Sequence, residues 1–421
     1  MNIVVWGINY APEQTGIAPY NTGLCEYLVA SGHAVRMLTT FAYYPEWRKT
    51  AVDRNRIYRT DTLNGVTVYR CWHYVPPRPT ALKRMLHEAS FVATSFLRVL
   101  FAPAADVVIV VSPPLLLGFA ASLLRLLRRS PYVFHVQDMQ PDAAVMLGLL
   151  KRGILTRILY GFERWAQRHA ALVSGITPGM LRMFTMKGVR ADRLVLFPNW
   201  MPETNAVPPE ASRFRREHGV SSDEFLAVYS GNLGKKQGLN VILDAAARLK
   251  DGLDGVGSGS GKIRFVIAGD GVEKPALTAR IARERLDNVL LLPLQPRESY
   301  RCLLADANVC LVTQQPGSGA LFFPSKLLDI LAHAKPVVAV ADRGGELESA
   351  VLEGHFGWVV PPGSPDELAN TLLQAATDRA ALTIAARSGA HWVGRFERER
   401  VLDRFETALL ECLAGKRDRP T

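Results

Sequence analysis

The run "NIVVWGINYAPEQTGIAPY", residues 2–20, opens the chain and decides how the rest is read. "NIVV" reads as a buried strand, and "APYNTGLCEYLVASG" as the helix that follows. A strand entering a helix through a glycine-bearing loop suits phosphate. Backbone N–H groups at a helix start attract anions, and glycine permits close approach. Yet the dinucleotide fingerprint G-x-G-x-x-G is absent. Gly7 and Gly16 are nine residues apart with Pro12 between them. The loop is longer and stiffer than a dinucleotide site needs. Gly16 is the candidate for a ligand approach; a plain tight turn at positive φ is the other reading.

The same alternation continues outward. After "AVRMLTT" comes an irregular stretch from Phe41 to Asn64, then "VTVYRCW", a basic helix near 81–101, "DVVIVVS", a helix, "PYVFHVQD", another helix, "ALVSGIT" and "RLVLFPN". Short buried strands between helices predict βαβ units and a mainly parallel sheet. Residues 107–124 carry no charge. Pro113 and Pro114 interrupt them, so a strand–turn–helix unit is favoured over a membrane span. The segment 81–101 mixes Lys83, Arg84 and Arg98 with Leu and Phe. It fits a helix packed on the sheet, or an interfacial helix.

Residues 198–212, "PNWMPETNAVPPEAS", read as a linker. A second α/β series follows, through "EFLAVYSGN", "IRFVIAGDG", "VLLLP", "NVCLVT", "PVVAVA" and "GWVVPP". "DGLDGVGSGSG", 251–261, is a surface loop by composition. The expected architecture is α/β, two doubly wound domains facing across a cleft where ligands bind.

With 421 residues, 48% hydrophobic, the chain has material for two full cores. Its five cysteines have no zinc or C-x-x-C spacing, and "MNIVVWG" has no signal-peptide character. A reducing cytoplasm fits. The net charge of +11 is uneven. Residues 1–200 hold 23 Lys and Arg against 11 Asp and Glu, whereas residues 201–421 hold 27 against 28. The basic half suits anionic headgroups or a phosphorylated substrate, or is simply a solvated face. No nucleic-acid-binding motif accompanies it.

Five stretches could carry chemistry. The opening loop offers Gly16. "YVFHVQDMQPD" brings His135 and Asp138 to a strand end, where open α/β sheets place ligand groups. "SGNLGKKQG" offers Gly231, Asn232 and Lys236 to a diphosphate, through backbone donors and a point charge. "AGDG" gives Gly269 and Asp270 in a weaker, common turn. "FFPSKLLDILAHAKPVVA" sets Ser325 and Lys326 at a helix start, with Asp329 one turn on to accept from a ribose. Glu346 follows at another helix start, where a carboxylate also complements the helix dipole. No Asp-x-Asp, G-x-x-x-x-G-K-[ST], G-x-S-x-G or H-E-x-x-H occurs. A diphosphate held by amides and lysines, without metal, is expected.

Together "GINYAPEQTGIAPYNTGLCEYLVASGHAVRMLTTFAYYPEW", "HVQDMQPD", "SGNLGKKQGL", "AGDG" and "PSKLLDILAHAKPVV" resemble the retaining glycosyltransferases of family four, with the GT-B fold. Within them they look most like the WcaI-type, colanic-acid class of exopolysaccharide enzymes. The resemblance spans nearly the whole chain. It implies two Rossmann-like domains: an acceptor-binding one over 1–200 and a nucleotide-sugar-binding one over 213–390. A C-terminal helix, 391–421, returns to the first domain. It implies transfer of a sugar, with L-fucose from GDP-fucose favoured, to a lipid-diphosphate-linked saccharide. The implied front-face mechanism needs no enzymic nucleophile, no cofactor and no metal. The implied location is the cytoplasm, peripheral on the inner face of the cell membrane. By position Gly16 nears the donor phosphates, His135 the transferred sugar, Lys236 the diphosphate and Asp329 the ribose. Two departures stand out. Asn232 occupies a position that often holds arginine, with Lys326 as a substitute charge. Leu321 replaces the first acid of a two-glutamate motif. A nucleotide-sugar epimerase on the same fold, or a degenerate partner subunit, therefore stays open.

Overall fold

A computed structural model describes residues 1–14, 16–44, 46–78, 80–146, 148, 150, 153–201, 210, 212–250, 262–319 and 323–417. The chain divides into two compact units, Met1–Asn199 with Glu399–Thr421, and Trp200–Arg398. The expected loop 251–261, most of the linker 198–212, and Leu321 lie outside the described residues.

The first unit runs β1 (Asn2–Trp6), α1 (Ala18–Ala30), β2 (Ala34–Thr40), β3 (Tyr58–Leu63), β4 (Val66–Cys71), α2 (Ala81–Leu100), β5 (Val107–Ser112), α3 (Leu116–Arg128), β6 (Tyr132–Val136), α4 (Gln140–Met146), α5 (Ile154–His169), β7 (Leu172–Gly175), α6 (Pro178–Met186) and β8 (Leu194–Leu196). Among the described residues its sheet has eight strands, ordered β3-β4-β2-β1-β5-β6-β7-β8. Every neighbouring pair is parallel except β3–β4. β5 and β6 are buried along their whole length, as strands covered on both faces must be. From β1 the chain winds outward to β2 on one side and, later, to β5 on the other. The opening loop thus leaves the sheet at a topological switch point, where such sheets leave room for ligands.

The stretch expected to be irregular, Phe41 to Asn64, contains β3. Its sequence "YRTDTL" has polar residues on both faces and no apolar run, because it is an antiparallel edge strand. The uncharged 107–124 segment is β5, a turn at Pro113 and Pro114, and α3. Among the described residues no helix is long and apolar enough to cross a membrane.

The second unit runs α7 (Arg213–His218), β9 (Phe225–Asn232), α8 (Asn240–Arg248), β10 (Ile263–Asp270), α9 (Lys274–Glu284), β11 (Val289–Leu292), α10 (Arg297–Asp306), β12 (Val309–Thr313), α11 (Lys326–Ala332), β13 (Val337–Val340), α12 (Glu346–Gly354), β14 (Gly357–Val360), α13 (Pro365–Thr377) and α14 (Arg379–Val393). The six described strands are all parallel, ordered β11-β10-β9-β12-β13-β14. Alternate β9 residues feed two apolar cores: Leu226 and Val228 one, Ala227 and Tyr229 the other. Here β9 is the strand at the switch, and "SGNLGKKQG" is its exit.

The last helix, α15 (Arg398–Arg417), belongs to the first unit from Glu399 on. Phe405 stacks on Phe197 with ring centres 3.9 Å apart. Glu406 Oε1 lies 2.6 Å from His33 Nε2. Trp392 and Val393 instead pack in the second unit's core, so residues 391–398 stay with that unit.

Candidate functional site

In the first unit the opening loop is tied down by polar contacts. Thr40 Oγ1 donates to the Ile8 carbonyl at 2.6 Å, Asn21 Nδ2 to Asn9 O at 2.8 Å, and Arg70 Nη2 to Ala11 O at 2.7 Å. Its centre is Glu13, whose carboxylate is buried. Oε1 accepts from the Tyr43 and Tyr44 amides, both at 2.9 Å, and Oε2 from Asn9 Nδ2 at 2.8 Å. Burial pushes the Glu13 carboxyl up, and these donors pull against the shift. Gly16 is exposed at φ +65°, and a Cβ there would meet only a Tyr44 ring carbon at 4.0 Å. The space is open, so what favours glycine is the left-handed backbone.

His135 sits inside β6, fully buried. Its Nδ1 lies 2.9 Å from Ser174 Oγ, and its Nε2 2.9 Å from Gln137 Nε2. An amide nitrogen can only donate, so Nε2 accepts and the proton resides on Nδ1, donated to Ser174. The Phe197 ring packs 4.8 Å away. Burial lowers the His135 pKa to about 3, which keeps the ring neutral. The imidazole therefore holds Gln137 and Ser174. Asp138 follows, half-buried, just before α4. Gln140 accepts from the Leu115 amide at 2.7 Å and donates to Glu88 at 3.2 Å.

In the second unit the two glycine turns are neighbours. The β9–β10 register sets Gly231 beside Gly269 and Asn232 beside Asp270. A Cβ on Gly269 would fall 1.9 Å from the Gly231 carbonyl oxygen. Gly269 is thus a packing requirement of the strand pair. Asp270 is exposed; its Oδ1 accepts from the Gly271 amide at 2.8 Å and Oδ2 from Lys274 at 3.2 Å. The Gly271 amide and Lys274 hold its carboxyl below the usual range. Beyond Gly231, the turn closes on β12. The Lys236 carbonyl accepts from Gln315 N at 2.9 Å, and the Gln237 carbonyl from Thr313 Oγ1 at 2.7 Å. Against this turn lies a cleft of about 320 Å³ lined by Gly234, Lys235, Gly238, Asn240, Glu273 and Gln315, among others.

Lys326 reaches the same strand end from α11. Its ammonium lies 3.5 Å from the Tyr229 ring centre, and a Cβ on Gly231 would be 3.6 Å from it. The nitrogen is buried and has no hydrogen-bond partner among the described residues. Burial lowers its pKa to about 7. Gly231, at φ +143°, leaves the ammonium its space. An unpaired buried ammonium is costly, and an aromatic face offsets only part of that cost. The Tyr229 hydroxyl donates to Asn232 O at 2.7 Å, which fixes the ring.

Ser325 is exposed and caps nothing with its side chain; α11 starts at Lys326. Asp329 has local partners. Its carboxylate is 3.4 Å from His333 Nδ1 and hydrogen-bonds Tyr300. It raises the His333 pKa, whereas the Tyr300 hydroxyl is pushed up first by burial and then by Asp329. Glu346 opens α12, half-buried, with its amide on Gly319 O at 3.2 Å. Asp342 braces that loop, accepting from the Gly317 and Gly319 amides at 3.0 and 2.9 Å.

Gly231, Asn232, Gly269, Asp270 and Lys326 thus share one strand edge, and Lys236 lies in the turn leaving it. Glu13, Gln137 and Tyr229 escape the sequence reading. Each looks ordinary in its segment: one acid in a loop, an amide beside a histidine, an aromatic in a buried strand. Among the described residues no group of three or more His, Cys, Asp or Glu could hold a metal.

Two family models cover most of the chain. "Glycosyl transferase 4-like domain" matches residues 15–200, and "Glycosyl transferases group 1" matches residues 210–391. A protein of Escherichia coli (strain K12) named as a colanic acid biosynthesis glycosyl transferase, WcaI, is 34% identical over 82% of this chain and 85% of its own. A Pseudomonas aeruginosa protein named as a glycosyltransferase, WbjE, is 30% identical over 63% and 65%. Among solved structures, sucrose-phosphate synthase from Thermosynechococcus elongatus superposes with a TM-score of 0.75 at 18% identity, covering 98% of this chain and 99% of that one. Anabaena Alr3699/HepE in complex with UDP gives 0.67 at 18% identity, covering 98% and 100%. These likenesses establish the GT-B architecture.

Proposed function

The chain belongs to the GT-B glycosyltransferases of family four, and we propose that it moves a hexosyl group from a nucleoside-diphosphate sugar to a lipid-diphosphate-linked saccharide in exopolysaccharide assembly. The bond between the anomeric carbon and the diphosphate breaks, and a bond to an acceptor hydroxyl forms on the same face. The hydroxyl's proton leaves with the departing diphosphate. The protein's main task is then electrostatic: to hold the negative charge that develops on the leaving group.

One observation carries this reading: the Lys326 ammonium, which is buried beside Gly231 and has no hydrogen-bond partner among the described residues. A diphosphate oxygen would supply the counter-charge the fold leaves out. The amides of the turn after β9, with Lys236, would complete the cradle. Asp329 would meet the ribose by exchanging its bond to His333. His135 acts by positioning Gln137 and the loop to Asp138. The basic first unit suits the cytoplasmic face of an anionic membrane, where a lipid-linked acceptor resides.

Transfer is tested by incubating the purified chain with a lipid-diphosphate saccharide and a donor panel. The panel includes GDP-L-fucose, which the colanic-acid resemblance favours, and UDP-hexoses, whose nucleotide is the one bound in HepE. A lipid product one sugar longer supports the proposal. Epimerised donor without extension contradicts it.

A further inference from the structure

Helix α2 ends six residues before β5, and α5 ends two residues before β7; β5 and β7 run the same way in one sheet, and each helix runs back against its strand. Their first turns therefore stand at the same edge of the first unit, on either side of α3, which packs against both. This is also the edge that carries the opening loop and Asp138.

Both helix starts carry exposed apolar residues. In α2, Leu82, Lys83, Arg84, Met85 and Leu86 are all exposed, and His87 is the first buried residue after them. Over this stretch every side chain reaches solvent, and the Arg84 guanidinium lies 5.4 Å from the Trp47 ring centre. Leu82, Met85 and Leu86 are spaced i, i+3, i+4, so they form one stripe. In α5, Ile154, Leu155 and Ile158 are exposed likewise. These six aliphatic side chains are between 46% and 77% exposed. Single exposed leucines are unremarkable, but two clusters at one edge mark an interaction surface. Lys83, Arg84 and Arg157 are interspersed with them. Residues 1–200 carry 23 basic against 11 acidic residues.

We propose that the first turns of α2 and α5 form a two-point wedge that inserts into an anionic lipid bilayer. Leu82, Met85, Leu86, Ile154, Leu155 and Ile158 enter the acyl boundary, and Lys83, Arg84 and Arg157 meet headgroup phosphates. Charge complementarity selects this occupant: a protein partner would not need a cationic rim on an aliphatic tip. The proposal rests on the reading that the acceptor hangs from a lipid. It adds that attachment combines charge with apolar insertion. Most of α2 packs on the unit, so only its start serves as an interfacial helix.

The test is co-sedimentation of the full chain with phosphatidylcholine vesicles, with and without phosphatidylglycerol, at low and high salt. The wild type should bind the mixed vesicles and keep a residual fraction at high salt, because apolar contact is not screened. A Leu86→Glu, Leu155→Glu double variant should bind at least ~10-fold less. A Leu127→Glu control, at the exposed far end of α3, should bind as the wild type does. Wild-type protein that ignores both vesicle types overturns the proposal, as does a double variant that binds undiminished. Self-association that vanishes in the double variant would assign the surface to a second copy and also overturn it. Nucleotide titration of each protein checks folding. Should the wild type bind no nucleotide, the transferase reading fails, while the vesicle result still decides this proposal.

Discussion

The Lys326 ammonium stands 3.5 Å above the centre of the Tyr229 ring. Two elements far apart in sequence, β9 and the start of α11, thereby place a cation where an aromatic face is its nearest neighbour. Tyr229 and Gly231 lie on the same face of β9, and the glycine leaves the ammonium its space: a Cβ there would be 3.6 Å from the Lys326 nitrogen and 3.8 Å from the Tyr229 hydroxyl. Cys310 is the further titratable group that bears on the ammonium, and burial holds that thiol protonated.

Removing the ring should matter more than removing its hydroxyl. Tyr229→Leu takes away the cation's support and is expected to weaken donor binding about tenfold, the loss of ~1–2 kcal/mol of cation–π contact. Tyr229→Phe keeps the ring and loses one bond to Asn232 O, so donor affinity should stay within a few-fold while stability drops by ~1 kcal/mol. Calorimetry and thermal melts separate the two.

The two neighbouring glycines should fail differently. In Gly269→Ala the new Cβ meets the Gly231 carbonyl oxygen, so the strand pair must part. A loss of roughly 3 kcal/mol or more in unfolding stability is expected. Gly231→Ala has room but an unfavourable backbone, at φ +143°. It should cost ~1–3 kcal/mol and raise the donor Kd, because its methyl sits beside the Lys326 ammonium. Denaturant titration of both variants measures the contrast.

His135 should show its burial in acid. Its pKa is about 3 in the fold and 6.5 in the unfolded chain. Between those values the unfolded chain binds the extra proton, so stability rises with pH and is lost as pH falls from 6.5 toward 3. His135→Gln should flatten that part of the stability profile. The same variant should lower kcat with little change in donor Kd, since the ring positions Gln137.

Glu13→Gln should loosen the opening loop. An amide can still accept at one oxygen, but the bonds to the Tyr43 and Tyr44 amides lose their charge. A loss of ~1–3 kcal/mol is expected, with a rise in acceptor KM that exceeds any rise in donor Kd. Equal loss of donor affinity would show that the loop is misread.

Much of the fold is legible in the sequence, because parallel strands buried on both faces advertise themselves as unbroken apolar runs. "DVVIVVS" and "PVVAVA" are such runs. The edge strand β3 is not legible: nothing covers its faces, so "YRTDTL" carries no apolar signal. In the site, Lys326 is legible as a lysine opening a helix after proline. Its partner ring is hidden, because Tyr229 in a buried strand looks like core. The glycine of "AGDG" invites a ligand, yet Gly269 is required by the neighbouring backbone. His135 is legible as a polar residue near a strand end, but its enclosure by Ser174, Gln137 and Phe197 depends on residues from two other segments. The exposed start of α5 is hidden for a different reason: apolar residues at a helix start look the same whether a neighbouring element covers them or not.

The most direct measurement is proton uptake when the intact donor binds, with no acceptor present. A nucleotide-sugar diphosphate diester keeps its own charge between mildly acidic and mildly alkaline pH, so any proton taken up belongs to the protein. Free Lys326, with a pKa of about 7, is largely neutral at roughly pH 8 and must charge to meet the diphosphate. Calorimetry in two buffers of different ionisation enthalpy should give nearly one proton bound at ~pH 8, almost none at ~pH 6, and weaker affinity at the higher pH. Lys326→Ala should bind more weakly and take up none at either pH. A wild type whose donor affinity and proton count are the same at both pH values, and the same as those of Lys326→Ala, would contradict the assignment of the diphosphate to Lys326.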